Sequence, residues 1–167
     1  MSQDVIVLYP ILPKQMAVLE KTYRLHRYDL ASDKDAFLKQ AGAICTGAVT
    51  NGHFHMDGAF ADKLPALKMV ACSSVGYETI DVGALTERGI RFTNTPDVLT
   101  DDVADMAILL MLAVRRKLLQ GDRYVRSGDW GRKGMMALTS RTAGSRAGIV
   151  GMGRIGQAIA KRALAFG

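Results

Sequence analysis

The sequence is poor in proline, cysteine and tryptophan, and it has no long apolar run. Its 167 residues include 4 Pro, 2 Cys and 1 Trp. So few cysteines exclude a disulfide-dense scaffold. No apolar run approaches the ~18 residues of a membrane span, and no charged-then-apolar leader is evident, so we expect a cytoplasmic protein without a membrane partner. Cys45 and Cys72 lie in short apolar runs that predict strands, and we interpret them as reduced, buried thiols rather than disulfide or metal ligands.

Acidic residues are nearly missing from the last third of the chain. Residues 113–167 hold 12 basic and 2 acidic residues, whereas residues 1–112 hold 10 basic and 14 acidic ones, and the net charge is +6. Such a split can indicate a nucleic-acid surface, but aromatics do not interleave with the basic residues, so we expect no nucleic-acid partner. Two interpretations of the basic segment stay open. It forms a basic cleft for an anionic cofactor and substrate, or its positive charge is left unbalanced because an acidic remainder of the protein is missing from this sequence.

A glycine-rich segment near the end of the sequence carries the clearest chemical signal. The apolar run 147–150 predicts a buried parallel strand, Gly151, Gly153 and Gly156 follow in the G-x-G-x-x-G spacing, and residues 155–166 continue at helical period. The first glycine permits a tight turn, the second lets a pyrophosphate approach the backbone, and the third lets helix and strand pack closely. Because the N–H groups of the first helical turn bind phosphates, we predict a dinucleotide site rather than a plain glycine turn.

Short strands and helices alternate over the first 98 residues. Apolar runs predict strands at 5–9, 24–30, 43–46, 67–72 and 91–94, with a Gly- and His-containing loop at 47–56. Helical spacing and capping residues predict helices near 13–23, 32–41, 57–63 and 80–88. This alternation predicts an α/β domain at residues 1–98, with a parallel sheet covered on both faces.

A long helix that begins near Thr100 is apolar on every side in its middle. All residues from Met106 to Val114 are apolar, and a helix of this kind must be covered on all sides. Residues 117–126 are predicted to continue as helix, and residues 127–145 form a predicted irregular arm that is too polar and glycine-rich to cover it. A second domain, a partner subunit or both should therefore cover the helix.

Three motifs give the chain a family resemblance. They are residues 73–81 (Ser-Ser-Val-Gly-Tyr-Glu-Thr-Ile-Asp), residues 93–105 (Thr-Asn-Thr-Pro-Asp-Val-Leu-Thr-Asp-Asp-Val-Ala-Asp) and the glycine segment 148–156. With them the chain resembles the N-terminal portion of the D-isomer-specific 2-hydroxyacid dehydrogenases, and within these the glyoxylate/hydroxypyruvate and hydroxyphenylpyruvate reductase branch. We therefore expect the front half of a longer protein.

The resemblance implies a split architecture and a homodimer. Residues 1–98 would form a flavodoxin-like substrate domain. Residues 99–167 would supply the interdomain helix, the arm and the first β-α unit of a Rossmann NAD(P)-binding domain. Family members are usually dimers in which the long helix and the arm meet the partner, which agrees with the uncovered helix.

The resemblance also implies the reaction: NAD(P)H-dependent reduction of small 2-oxo acids to D-2-hydroxy acids. The family's catalytic Arg, Glu and His lie in motifs beyond Gly167, so no catalytic residue is assigned and the chain alone is expected to be inactive. The cofactor is NAD or NADP, with NADP slightly preferred from the reductase branch. Two alternatives stay open, a corepressor-like dinucleotide binder without catalysis and an inactive truncated gene product.

The implied site residues fall into two groups. The substrate carboxylate would meet backbone N–H groups at Ser74, Val75 and Gly76, an anion-binding concavity rather than an ordinary turn. Val75 and Val103 would form an apolar wall near the nicotinamide, with plain core packing as an equal alternative. The pyrophosphate would be bound by the glycine loop, namely Gly151, Met152, Gly153, Arg154, Ile155 and Gly156.

Two further interpretations concern charged and titratable side chains. Arg154 could add charge to the pyrophosphate site or be a solvated arginine at a helix start. His53 and His55 flank Phe54, and because no carboxylate or cysteine ligand set accompanies them we interpret them as solvated loop residues and predict no metal site.

Overall fold

The computed structural model describes residues 3–167. Met1 and Ser2, which open the predicted first domain, lie outside the described residues. The chain divides into two compact units, Met1–Val98 and Leu99–Gly167. Within the described residues, no helix combines the length and the apolarity needed to cross a bilayer.

The described part of the first unit is built on a five-stranded sheet in which every neighbouring pair is parallel. Its strands are β1 (Asp4–Val7), β2 (Arg24–Arg27), β3 (Gly47–Thr50), β4 (Met69–Cys72) and β5 (Arg91–Thr93). The strand order is β2-β1-β3-β4-β5, which is the flavodoxin-like doubly wound order. The predicted α/β class with a parallel sheet is therefore confirmed.

Helices connect these strands, and aspartates begin three of them. The helices are α1 (Pro13–Thr22), α2 (Lys34–Ala41), α3 (Gly58–Ala61) and α4 (Val82–Glu87). The carboxylates of Asp33, Asp57 and Asp81 accept hydrogen bonds from backbone N–H groups three residues later, at 3.0, 2.8 and 2.9 Å. Such caps satisfy N–H groups that have no partner inside the helix, so these aspartates fix where α2, α3 and α4 begin.

The main core lies between the sheet and helices α2, α3 and α4. It contains aliphatic side chains from β1 and β4 together with buried residues of the helices and loops, among them Ile6, Val70, Leu38, Met56, Leu64 and Leu85. At its edge the ring of Tyr28 makes edge-to-face contacts with Phe37, Phe54 and Phe60, at centroid distances of 6.0, 6.1 and 5.9 Å. Burial on this face fixes the sheet against which the loops at the strand ends are held.

The third strand is not where the sequence pattern placed it. Residues 42–44 form a turn after α2, in which the N–H groups of Ile44 and Cys45 both donate to the carbonyl of Ala41, at 3.2 and 3.0 Å, and residues 45–46 lead into the strand. The strand is instead Gly47–Thr50, whose small first residues pair with β1 on one side and β4 on the other. The strand prediction for Cys45 is wrong, whereas its burial and that of Cys72 are observed, with both thiols free.

The second unit is helical in its described secondary structure. It contains α5 (Thr100–Arg115), α6 (Leu118–Arg126), α7 (Asp129–Lys133) and α8 (Arg154–Ala163), followed by a 3-10 turn at Leu164–Phe166. Helices α5 and α8 pack together, and the guanidinium of Arg162 on α8 binds the carboxylates of Asp101, at 2.8 Å, and Asp105. These ion pairs and the packing hold the glycine loop before α8 in the same unit as α5.

The helix predicted at 117–126 is present as α6, but it does not continue α5: α5 ends at Arg115 and α6 begins at Leu118, because Lys117 between them adopts a left-handed φ of 50°. Two other expectations for the second unit need correction. The predicted irregular arm contains the short helix α7, in which Asp129 pairs with Arg132 and Lys133 at helical spacing. Residues 147–150 are not assigned as a strand, since a strand requires ladder pairing and the strands within the described residues pair only with one another in the first unit.

Helix α5 leaves much of its apolar surface uncovered. Its buried residues are Ala104 and Ile108, whereas Met106, Leu109, Leu110 and Val114 are between 52% and 77% exposed. These four positions recur at helical spacing and share one face. The expectation that the polar, glycine-rich residues after the helix do not cover it alone agrees with these exposures.

Candidate functional site

The loops that follow β3, β4 and β5 meet at the carboxyl edge of the sheet, where ligands bind in doubly wound folds. The backbone N–H of Gly52, after β3, donates to the hydroxyl of Ser74, after β4, at 2.7 Å. The hydroxyl of Thr79 lies 2.8 Å from the carbonyl oxygens of both Gly52 and Phe54, and the two oxygens share its single proton. The two loops are therefore tied together by side-chain hydroxyls.

A close backbone approach accompanies these hydrogen bonds. A Cβ atom on Gly52 would lie 2.2 Å from the carbonyl oxygen of Gly76 and 2.9 Å from the Ser74 hydroxyl. Real Cβ atoms do not approach backbone oxygens so closely, so a glycine is required at position 52 for the loops to meet. The loop after β4 rests on this glycine.

The predicted substrate residues lie in this loop, and their carbonyl groups are bonded within the chain. The Ser74 carbonyl accepts from the N–H of Thr95 at 3.1 Å, and the Val75 carbonyl accepts from the side-chain amide of Asn94 at 2.9 Å. The Ser74 hydroxyl donates to the Gly76 carbonyl at 2.8 Å. In the described part of the chain, the backbone N–H groups of Val75 and Gly76 have no hydrogen-bond acceptor.

One exposed carboxylate lies beside these N–H groups. A Cβ atom on Gly76 would be 2.8 Å from an oxygen of Glu78. A negative charge therefore lies beside the loop, and the attraction of an anion would depend on the backbone N–H dipoles of the loop.

The three glycines of the loop in the second unit differ in backbone conformation and in surroundings. Gly151 has a left-handed φ of 92°, which side chains rarely tolerate. A Cβ on Gly156 would lie 2.0 Å from the carbonyl oxygen of Gly151, so the start of α8 packs directly on the loop. A Cβ on Gly153 would meet nothing within 4 Å, and the space over this glycine is open. The close contact at Gly156 is therefore between the helix and the loop, and the predicted packing of helix on strand stays a prediction.

The N-terminus of α8 is open to an anion. Gly153 is the N-cap, no side chain caps the helix, and the N–H of Gln157 donates to the Gly153 carbonyl at 3.0 Å. The side-chain amide of Gln157 also donates to the carbonyl of Met152 at 3.0 Å, which turns that carbonyl toward the helix. Met152 and Arg154 are exposed and Ile155 is half-buried. The first-turn N–H groups and the helix dipole can therefore hold a pyrophosphate here.

The two valines of the predicted apolar wall lie in different units. Val75 is half-buried in the first unit, and Val103 on α5 is 38% exposed in the second. Neither valine belongs to the buried core of its own unit as described. Their contact with a nicotinamide stays a prediction.

The histidines do not form a ligand set. His53 and His55 are both exposed, with the ring of His53 at 6.1 Å from that of Tyr9 and an imidazole nitrogen of His55 at 3.7 Å from Asp57. Within the described residues, no group of three or more His, Cys, Asp or Glu side chains is arranged to hold a metal ion.

Sequence reasoning missed Gly52, Thr79 and Asn94. Thr79 and Asn94 lie inside two of the family motifs, and the signal for Asn94 is its place at the end of a predicted strand, where polar residues reach the sheet edge. Gly52 was missed because the strand before it had been predicted four residues too early. Its closeness to the loop after β4 depends on which strands pair, which periodicity does not specify.

The chain is similar to known 2-hydroxyacid dehydrogenases and reductases. The family model described as "D-isomer specific 2-hydroxyacid dehydrogenase, catalytic domain" matches residues 5–165. The chain is 44% identical over 165 residues to glyoxylate/hydroxypyruvate reductase A of Arabidopsis thaliana, covering 99% of this chain and 52% of that protein. It is 42% identical over 162 residues to hydroxyphenylpyruvate reductase of Plectranthus scutellarioides, covering 97% and 51%. The chain thus spans about half the length of these curated relatives.

Solved structures give the same picture. The 2-hydroxyacid dehydrogenase of Ketogulonicigenium vulgare superposes with a TM-score of 0.93 at 36% identity, over 99% of this chain and 52% of that one. The NADPH-dependent glyoxylate/hydroxypyruvate reductase of Sinorhizobium meliloti, solved with NADP and malonate, has a TM-score of 0.75 at 34% identity, over 100% and 51%.

Proposed function

The chain belongs to the D-isomer-specific 2-hydroxyacid dehydrogenase family, and on this basis we propose that it serves an NAD(P)H-dependent reductase of small 2-oxo acids. The acids are of the glyoxylate, hydroxypyruvate or hydroxyphenylpyruvate type, and the products are D-2-hydroxy acids. The observation that carries the proposal is the geometry of the glycine loop. Gly156 is in close contact with the Gly151 backbone, the space over Gly153 is open, and no side chain caps the helix that follows. Residues 1–98 act as the substrate domain, and residues 99–167 begin the dinucleotide domain.

On the substrate side, the loop after β4 binds the carboxylate. The unpartnered N–H groups of Val75 and Gly76 donate to it, and Ser74 belongs to the same loop. The absence of a side chain on Gly76 permits close approach of the acid. Val75 and Val103 would each offer an apolar contact to the nicotinamide ring.

On the cofactor side, the pyrophosphate lies over Gly153. The N–H groups of the first turn of α8 donate to its oxygens, and the exposed Arg154 adds positive charge. When bound, the nicotinamide supplies the hydride for C2 of the oxo acid. NADP is slightly preferred over NAD, and support comes from the similarity to an NADPH-dependent reductase solved with NADP. No residue of this chain is assigned the acid–base role, so we expect binding without turnover from the chain alone.

The proposed assembly is a homodimer. The exposed face of α5 and the arm around Trp130, which is 55% exposed, supply an apolar surface of the kind that protein interfaces cover.

Binding and turnover together test the proposed function. NADPH and NADH are titrated into the chain by nucleotide fluorescence, and the native protein from its own cells is assayed with glyoxylate, hydroxypyruvate and hydroxyphenylpyruvate. We expect measurable affinity in the first experiment and nucleotide oxidation in the second. Affinity without any turnover by the native protein would support a corepressor-like binder instead, and failure in both experiments would contradict the proposal.

A further inference from the structure

Gly76 is held from both sides by side chains of other residues. The peptide group before it, whose carbonyl belongs to Val75, accepts a hydrogen bond from the Asn94 side chain at 2.9 Å. The peptide group after it, whose carbonyl is its own, accepts from the Ser74 hydroxyl at 2.8 Å. Because a glycine otherwise samples a wide range of backbone conformations, these two hydrogen bonds restrict the direction in which its N–H points.

The two peptide groups before Gly76 turn their oxygens to the same loop. The Ser74 carbonyl is bonded by the N–H of Thr95, and the Val75 carbonyl is bonded by the neighbouring Asn94. A trans peptide group is planar, with its N–H pointing opposite to its carbonyl. The N–H groups of Val75 and Gly76 therefore both point away from residues 94–95, whereas successive N–H groups in an extended strand alternate in direction. Successive N–H groups on one side form an anion-binding concavity.

The Ser74 hydroxyl has no capacity left for a ligand. A hydroxyl has one donor and two acceptor positions. The proton goes to the Gly76 carbonyl, one lone pair accepts from the N–H of Gly52 at 2.7 Å, and the thiol of Cys72 lies 3.1 Å away as a further donor. This side chain therefore acts on the loop and not on a bound acid.

We propose that Asn94 and Ser74 are positioning residues of the carboxylate site. Their side chains fix the two peptide groups of Gly76, so that the N–H groups of Val75 and Gly76 face the same carboxylate oxygens. This inference rests on the proposed function, since it concerns how the proposed acid-binding loop is shaped. The chemical class recognised is the carboxylate of a small 2-oxo acid.

The test compares Ser74→Ala and Asn94→Ala with the wild-type chain, using oxamate as a carboxylate probe. Titrations are followed through the backbone amide NMR signals of Val75 and Gly76. The matched control is Ser73→Ala, because the neighbouring Ser73 hydroxyl has no partner among the described residues. We expect both test variants to bind oxamate about tenfold or more weakly, the effect of losing one buried hydrogen bond, and the control to bind within about twofold of wild type.

Melting curves separate positioning from general stability. A purely structural role would lower the melting temperature of Ser74→Ala and Asn94→Ala and leave the oxamate affinity of the folded protein unchanged, which would overturn this inference alone. No amide shift in the wild-type chain would overturn the proposed acid site and this inference with it. If one of the two variants does not fold, the affinity of the other decides.

Discussion

A Cβ atom on Gly156 would lie 2.0 Å from the carbonyl oxygen of Gly151, so the last glycine of the motif is packed against the first. The clash is with backbone, and the backbone of Gly151 is already in a left-handed conformation with φ of 92°. We expect Gly156→Ala to displace the loop, to destabilise the second unit by about 1–3 kcal/mol, and to weaken NADPH binding about tenfold or more. Urea unfolding and nucleotide fluorescence measure the two effects.

The control for this variant is Gly148→Ala. A Cβ on Gly148 would meet nothing within 4 Å, and its φ is not in the left-handed region. Its free energy of unfolding should stay within about 0.5 kcal/mol of wild type. Equal stability and affinity in Gly156→Ala and Gly148→Ala would show that the close contact has no role.

Gly153→Ala separates binding from folding. A Cβ atom added to Gly153 would meet nothing within 4 Å, so the substitution should leave the melting temperature nearly unchanged. The new methyl group would, however, occupy the position through which the pyrophosphate approaches, and NADPH affinity should fall by about tenfold or more. Unchanged affinity would mean that the dinucleotide does not lie over this glycine.

Gly52→Ala tests the contact between the two loops of the first unit. The added Cβ would lie 2.2 Å from the Gly76 carbonyl oxygen, so the loop after β4 must move. We expect a loss of about 1–3 kcal/mol in the free energy of unfolding and a loss of oxamate affinity. The control is Gly131→Ala, where a Cβ would meet nothing within 4 Å. Oxamate affinity equal to wild type in Gly52→Ala would contradict the dependence of the acid site on this contact.

The fold was predictable from the sequence because its signals are local. A capping residue such as Asp33 begins a helix whatever its distant neighbours do, and short apolar runs between helices indicate a parallel sheet. The third strand was mispredicted for the same reason. Ile44 and Cys45 are apolar, as strand residues often are. Gly47 and Ala48 have little intrinsic preference for a strand, and they form one because they pair with β1 and β4.

The candidate site was predictable only where its residues are marked by a signal in their own segment of the sequence. Val75 and Gly76 could be singled out because their backbone N–H groups follow a strand. Gly52 and Asn94 could not, because each reaches these residues from a different loop, and the pairing of β3, β4 and β5 brings the loops together. Long-range pairing of this kind is not encoded in the spacing of any one segment.

Alkaline pH should destabilise the first unit through Cys45. Burial and, to a smaller extent, the negative charge of Asp4 together raise the pKa of the Cys45 thiol from 9.0 to about 11. The folded state therefore favours the neutral thiol, and the resulting stability is complete below pH 9 and is lost as the pH rises toward 11. The loss amounts to roughly 2–3 kcal/mol at most. Urea unfolding of Cys45→Ala should show a smaller decrease over this interval than the wild-type chain, and parallel pH profiles would contradict the assignment.

Self-association through α5 is the last prediction. Leu109 is 53% exposed on the apolar face that α5 shares with Met106 and Val114, so a charge at this position should remain hydrated in the monomer but be costly in an interface. We expect the wild-type chain to sediment as a dimer and Leu109→Glu to sediment as a monomer with an unchanged circular dichroism spectrum. Leu30→Glu is the matched control, because Leu30 is 69% exposed and belongs to the first unit, whereas the proposed interface is formed by residues of the second unit, so this variant should remain dimeric. A wild-type chain that is monomeric at every concentration, or dissociation of both variants, would show that α5 is not the surface through which two copies meet.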